Sequence, residues 1–195
     1  MLAQALAFLL DAFASLFILA ALLRFWMQAF RAPARNPIAY FSMAITDWAV
    51  RPLRRVIPGI AKLDWSSLVV AWLFEFALQY LLVAILHGVW ADNGTALSVL
   101  LFRAFLELIR LSIYIFMGAV LLGAVLSWVN PYHPVAPFFA ALANPFMKPV
   151  RRVIPPIGGL DISPIFVLVF FQFMLAFPLT WLEQETRYML DRALL

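Results

Sequence analysis

The chain has no cysteine among its 195 residues. That excludes a disulfide, a thiolate metal site and any reading of redox compartment from cysteine usage. Histidine is almost as scarce: His87 and His133 are the only two. They are placed at opposite ends of the membrane spans identified below, so they cannot share a haem, a zinc ion or a catalytic triad. The seven glycines form no phosphate-cradling loop. An enzyme is therefore not expected, and neither is a cofactor. Charge is low as well, at 12% of residues, against roughly a quarter in ordinary soluble domains. The first ten residues carry no basic group, and Asp11 interrupts the apolar run. This argues against a cleavable signal peptide.

What fills the chain instead is apolar. Hydrophobic residues make up 66% and the mean hydropathy is +0.96, which predicts an integral membrane protein. The net charge of +4 would suit nucleic acid, but the basic residues sit in loops between apolar spans. That pattern reads as membrane topology, and the loops are too small for a nucleic-acid face.

Four stretches are long enough to cross about 30 Å of hydrocarbon, at roughly 12–30, 67–90, 111–129 and 164–182. Trp65, Trp90 and Trp181 stand at span ends as interfacial anchors. The segments 31–64 and 130–162 hold nine of the fourteen basic residues, while Met1–Leu10 and 91–97 hold none. Both basic loops are therefore expected in the cytoplasm, with the N- and C-termini outside. Arg103, Glu107 and Arg110 share one helical face ahead of the third span, which predicts a helical extension with surface ion pairs.

The two loops are copies. Arg-Arg-Val-Ile-Pro runs from Arg54 to Pro58 and again from Arg151 to Pro155, an offset of 97. Between 36 and 66, 14 of 31 residues match their counterparts without a gap. The matches include Pro37, Pro52, Asp64 and Ser66, so shared apolarity does not explain them. The chain is a tandem repeat, 1–97 and 98–195, each unit a helix, a basic loop and a helix. Both units cross twice, so they keep the same orientation and are related by an axis along the membrane normal. The predicted fold is an all-α membrane protein of four transmembrane helices, built as two parallel helix–loop–helix repeats.

Within each loop, Asn36-Pro37 reads as an N-cap and first helical position, and His133-Pro134 repeats it less well. Asp47 and Asn144 read as caps of a second short helix, broken at Pro52 and Pro149. Ser66 and Ser163 read as caps of the next span. The expectation is a short amphipathic helix at the inner interface followed by a proline-rigid return. Arg54, Arg55, Arg151 and Arg152 are candidate contacts for anionic lipid or a partner, their stems lying on apolar surface. An equally weighted alternative is that they lock the loops onto Asp64 and Asp161.

The spans carry few polar groups. Glu75 lies near the midplane, about 13 Å beyond Ser66, with Gln79 one turn on and Gln172 at the offset counterpart of Glu75. An intramembrane carboxylate is a functional candidate by default. Arg24, Glu75, Gln79 and Gln172 form the candidate intramembrane site. A structural Arg24–Glu75 pair is favoured over an ion pathway, because in repeat two Leu121 and Gln172 replace both partners together. Ala119, Gly123 and Ser127 form a small-residue stripe on the third span, suited to close helix packing.

The run Arg51-Pro-Leu-Arg-Arg-Val-Ile-Pro58 with Leu63-Asp64-Trp-Ser66 resembles the YggT family of small bacterial and plastid membrane proteins. So does Lys148-Pro-Val-Arg-Arg-Val-Ile-Pro155 with Leu160-Asp161-Ile-Ser163-Pro164. The first copy departs where Trp48 stands opposite Pro145, and where Ala61-Lys62 stands opposite Gly158-Gly159. The resemblance implies a non-enzymatic inner-membrane protein linked to complex assembly, division or nucleoid placement, and osmotic-stress tolerance, with no catalytic residues. Expected partners are anionic lipids and other membrane proteins or further copies of the chain. A channel or transporter subunit for ions or osmolytes is the alternative.

Overall fold

The computed structural model describes residues 1–57, 59, 63–154 and 161–194. Its elements in chain order are α1 (Leu2–Ala29), α2 (Pro37–Leu53), α3 (Trp65–His87), α4 (Gly94–Val129), α5 (Ala136–Val153), α6 (Ser163–Met174), a π-helical turn (Leu175–Leu179) and α7 (Thr180–Ala193). Four columns are long and apolar enough to cross a membrane: α1, α3, α4 and the continuous Ser163–Ala193. Only 28% of the most apolar window of α1, α3 or α4 is buried. The apolar surface therefore points outward to a greasy surround, as lipid requires and water forbids. This is a multi-pass membrane protein of two helical repeats.

The helix ends follow from their sequences. Arg31 adopts a left-handed φ of 53°. Its N–H donates to Gln28 and that of Ala32 donates to Met27, so a Schellman turn closes α1. Asn36 accepts from the Ala39 N–H at 3.0 Å, and Pro37 opens α2, as read from the sequence. Gly88 at φ 69° ends α3. Asn93 caps α4 by accepting from the Ala96 N–H at 2.7 Å, and its amide donates to the Ala193 carbonyl. The far end of the last column is thereby tied to the start of the third.

Several sequence expectations are corrected. Three of the four spans run longer than their hydropathy suggests, each away from the basic loops, while α3 keeps nearly its predicted length. At about 1.5 Å per residue, α4 is about 54 Å long, well beyond the hydrocarbon core. The loops contain no second short helix among the described residues. Asp47 lies inside a continuous α2, and Asn144 and Pro145 inside a continuous α5. The prolines do not break these helices. Pro52, Pro145 and Pro149 sit on exposed faces, where a lost N–H leaves no buried carbonyl unpaired. Ser66 is not a cap: it is buried, and its hydroxyl donates to the Ile57 carbonyl at 2.8 Å. Asp64 stands at the cap position of α3, and Ile162 at that of α6. Pro58, Pro155 and the glycine pair Gly158-Gly159, with the proline-rigid return assigned there, lie outside the described residues.

Packing joins the repeats through α1 and α4. Phe17, Ile18, Leu22, Val70 and Leu78 form one cluster between α1 and α3, and Phe116, Val120, Val167 and Phe171 form another between α4 and α6. Trp26 bridges them. Its ring meets Phe116 edge-on at 4.8 Å, and its N–H donates to the Ser112 hydroxyl at 2.9 Å. The small-residue stripe of α4 finds its partner in the same chain. Ala119 packs with Phe138 and Leu142 of α5, and Gly123 lies against Phe139.

Candidate functional site

On the side of the membrane that carries the basic loops, hereafter the loop face, one ion network anchors repeat one. Arg24 is only 6% exposed, although it sits one turn from the end of a membrane helix. Helix α2 folds back along α1, and the Ser42 hydroxyl donates to the Ala20 carbonyl at 2.7 Å. That contact brings the next turn of α2 over Arg24. The guanidinium donates to Thr46 at 3.1 Å and to Asp47 at 2.7 Å, and its Nε lies 3.4 Å from Asp64. Asp64, at 3% exposure, is also held by a two-pronged contact from Arg54 and by the Ser67 hydroxyl at 2.5 Å. Arg51 closes the set on Asp47 at 2.6 Å.

The predicted Arg24–Glu75 pair does not form. Arg24 turns to Asp47 and Asp64, and Glu75 takes its hydrogen bond from the Gln79 amide at 2.9 Å. Charges that vanish together in repeat two remain a good description, but the partners are Arg24 and Asp47, whose counterparts are Leu121 and Asn144. Nor do Glu75 and Gln172 share an environment: Glu75 is buried at 4% exposure, while Gln172 is exposed.

The paired arginines divide their work identically in both repeats. Arg54 binds Asp64, and Arg151 binds Asp161 at 2.7 Å. Each is the first arginine of its pair, ten residues before its aspartate. The second members, Arg55 and Arg152, are exposed and form no ion pair with a described carboxylate. Locking and outward presentation, weighed above as alternatives, therefore fall to different residues of one motif.

A second polar group lies toward the opposite face, where both chain ends sit. Arg110 contacts Glu183 of α7 and approaches Glu107 at 3.9 Å. The helical extension is thus present, and Arg110 pairs within it and with a helix that hydropathy did not extend to, while Arg103 forms no ion pair with a described carboxylate. Glu183, Arg187 and Asp191 are spaced four apart on α7, and that periodicity was the available signal.

The family model for CCB3/YggT matches residues 3–86 and 102–182, most of both repeats. The chain belongs to the CCB3/YggT family. It is 31% identical over 165 residues to "Uncharacterized protein YggT" of Escherichia coli (strain K12), covering 84% of each chain. It is 33% identical over 172 residues to a Vibrio alginolyticus protein named for the proC 3' region, covering 87% of this chain and 91% of that one. A Pseudomonas aeruginosa protein is 35% identical over 165 residues, covering 83% and 82%. No solved structure matches the chain.

Electrostatics agree with the division of labour in the motif that suggested this family. Burial pushes the Asp64 carboxyl up, but hydrogen bonds from Arg54 and Ser67, with the charges of Arg54 and Arg24, outweigh it. They hold Asp64 below the ordinary carboxylate range. Asp161 is likewise held low against partial burial by Ser163 and Arg151. The hydrogen bond to Asp64 raises Arg54 further, despite some desolvation. Sequence reasoning missed Ser42, Thr46 and Ser67. Ser42 and Thr46, four apart on an amphipathic helix, are the kind of small polar pair that marks a face packed on another helix.

Proposed function

We propose that this protein is a non-enzymatic scaffold of the bacterial inner membrane, assembling membrane complexes on its cytoplasmic loop face. The observation that carries this reading is the split motif. Arg54 and Arg151 fix α2 and α5 to the bundle, so Arg55 and Arg152 are held outward at defined positions. Two rigidly spaced cations suit an anionic lipid surface or an acidic partner. The placement of basic residues supports loops in the cytoplasm and termini in the periplasm.

Replacing Arg55 and Arg152 together with glutamine is expected to weaken anionic-lipid retention by about 1 kcal/mol per residue, roughly thirtyfold for the pair, with thermal stability unchanged. Replacing Arg54 and Arg151 instead is expected to lower stability and leave lipid retention nearly intact. Native mass spectrometry from mild detergent reads both. Unchanged retention in the Arg55/Arg152 variant would sink the proposal. An oligomeric channel or transporter subunit is the second reading, and the buried Glu75 is what favours it. The same spectra separate the two: a closed ring of identical chains supports the channel, and a complex with a different membrane protein supports the scaffold.

A further inference from the structure

A groove of about 450 Å³ runs between α3, α4 and α7 on the side of the chain ends. Gln79 lies along it, and its outer reaches carry His87, Arg103, Arg187 and Asp191. Half of its lining residues are polar, where the surrounding span is greasy, and it has room for several waters at about 30 Å³ each. Gln79 is also the single side chain seen bonded to Glu75 among the described residues. Its Nε2 donates to Glu75, and its Oε1 is buried without a hydrogen-bond partner. A buried acceptor left open calls for an explanation. Toward the loop face the way is shut. Ala71, one turn below Glu75, is fully buried, and Phe17, Ile18, Leu22 and Val70 close the core around it.

The charges around Glu75 are unbalanced. Asp11 of α1 and Glu107 of α4 act on it with like charge, and Arg103 of α4 with opposite charge. Arg110, Glu183, Arg187 and Asp191 continue the cluster outward. Asp11, Glu75, Glu107, Glu183 and Asp191 are five carboxylates, and Arg103, Arg110 and Arg187 are three guanidiniums, so full ionisation leaves two unmatched negative charges. Glu75 is the most buried of them and forms no ion pair with a described cation; Asp11 and Asp191 form none either, but both are exposed. A lone desolvated carboxylate with an amide partner suits a proton, since hard metal ions take about six oxygens.

We infer that Glu75 is a proton-binding site entered only from the face that carries the chain ends, through the Gln79 groove. The amide serves both states. The carboxylate accepts from Nε2, as seen. The protonated acid donates to Oε1 once the amide turns over, which satisfies the open acceptor. The site stands apart from the loop-face scaffold and can be right or wrong independently of it.

A hydrophobic carbodiimide tests this on the native protein, because it adds to a protonated intramembrane carboxyl and leaves a stable mass on the peptide. Membrane vesicles of both orientations are used, with the pH set separately on each side. Sidedness is scored in parallel by labelling single-cysteine variants Asp92→Cys and Arg35→Cys of this cysteine-free chain, so a wrong topology shows separately. The Glu75 peptide is expected to carry the adduct, and Glu75→Gln to lack it. Above the site's midpoint, labelling should fall about tenfold per pH unit when pH rises on the chain-end face, and not respond to pH on the loop face. An adduct that follows loop-face pH, ignores pH on both faces, or never forms on Glu75 overturns the inference.

Discussion

Arg24→Leu is expected to lower stability by about 3 kcal/mol, the lower end of the range for breaking a buried ion pair. The lower end applies because Asp64 keeps Arg54 and Ser67, and Asp47 keeps Arg51. Adding Asp47→Asn to Arg24→Leu copies Leu121 and Asn144 of repeat two, and it should restore more than half of the loss, since it removes the half-buried carboxylate that Arg24 neutralised. Adding Glu75→Gln instead should give a simple sum, because Arg24 and Glu75 share no partner. Thermal unfolding in detergent decides. If the Asp47 double variant is as unstable as the two single changes added together, the network described for Arg24 is wrong.

The two aspartates of the repeated motif should differ sharply. Asp64→Ala removes the acceptor of Arg24, Arg54 and Ser67 at a site 3% exposed, and should cost about 3–5 kcal/mol. Asp161 has a side chain 29% exposed and bonds one arginine and the Ser163 N–H. Its loss should cost about 1–2 kcal/mol after allowing for solvent screening. Both carboxyls titrate below their ordinary value of 3.8 in the folded protein. A lowered folded value means that the stabilisation is complete above about pH 3.8 and is lost as pH falls through the folded values. The native protein should therefore weaken in acid below that point, and Asp64→Ala should flatten the slope. Equal losses for the two alanine variants would contradict the burial difference between the repeats.

How much of this was legible depended on which physical question the residue posed. The four spans follow from hydropathy, and the Arg–Asp lock follows from a spacing of ten that recurs at an offset of 97. Asn36-Pro37 fixes a helix start by local chemistry alone. The extension ahead of the third span was legible from the spacing of Arg103, Glu107 and Arg110, but the length of the last column was not, because hydropathy reports where a helix leaves lipid and not where it ends. Asp11, Arg103 and Glu183 interrupt the apolar pattern without interrupting the helix. Pro145 and Pro149 look like breaks until their exposed positions are known. The Arg24 partner was misread for a geometric reason. Leu121 and Gln172 replace Arg24 and Glu75 together in repeat two, but joint replacement leaves rotation about each helix axis undetermined. Arg24 faces α2, beside Ala20 and Ser42, while Glu75 turns toward Gln79 and the chain-end face.

The π-helical turn at Leu175–Leu179 alters how the duplication itself can be used. It winds one extra residue into the last column, with Pro178 inside it and the Thr180 hydroxyl bonded to the Leu175 carbonyl at 2.7 Å. Everything after it is rotated by about 100° relative to an uninterrupted helix. Helix α3 contains no such insertion. The 97-residue correspondence therefore holds through Met174 and then slips out of phase. Residue-by-residue inference between the halves stops there, and Glu183, Arg187 and Asp191 have no counterparts at the end of α3. That stretch of α7 is where the inherited symmetry lapses, and it is also the stretch that supplies the cations and carboxylates around the groove.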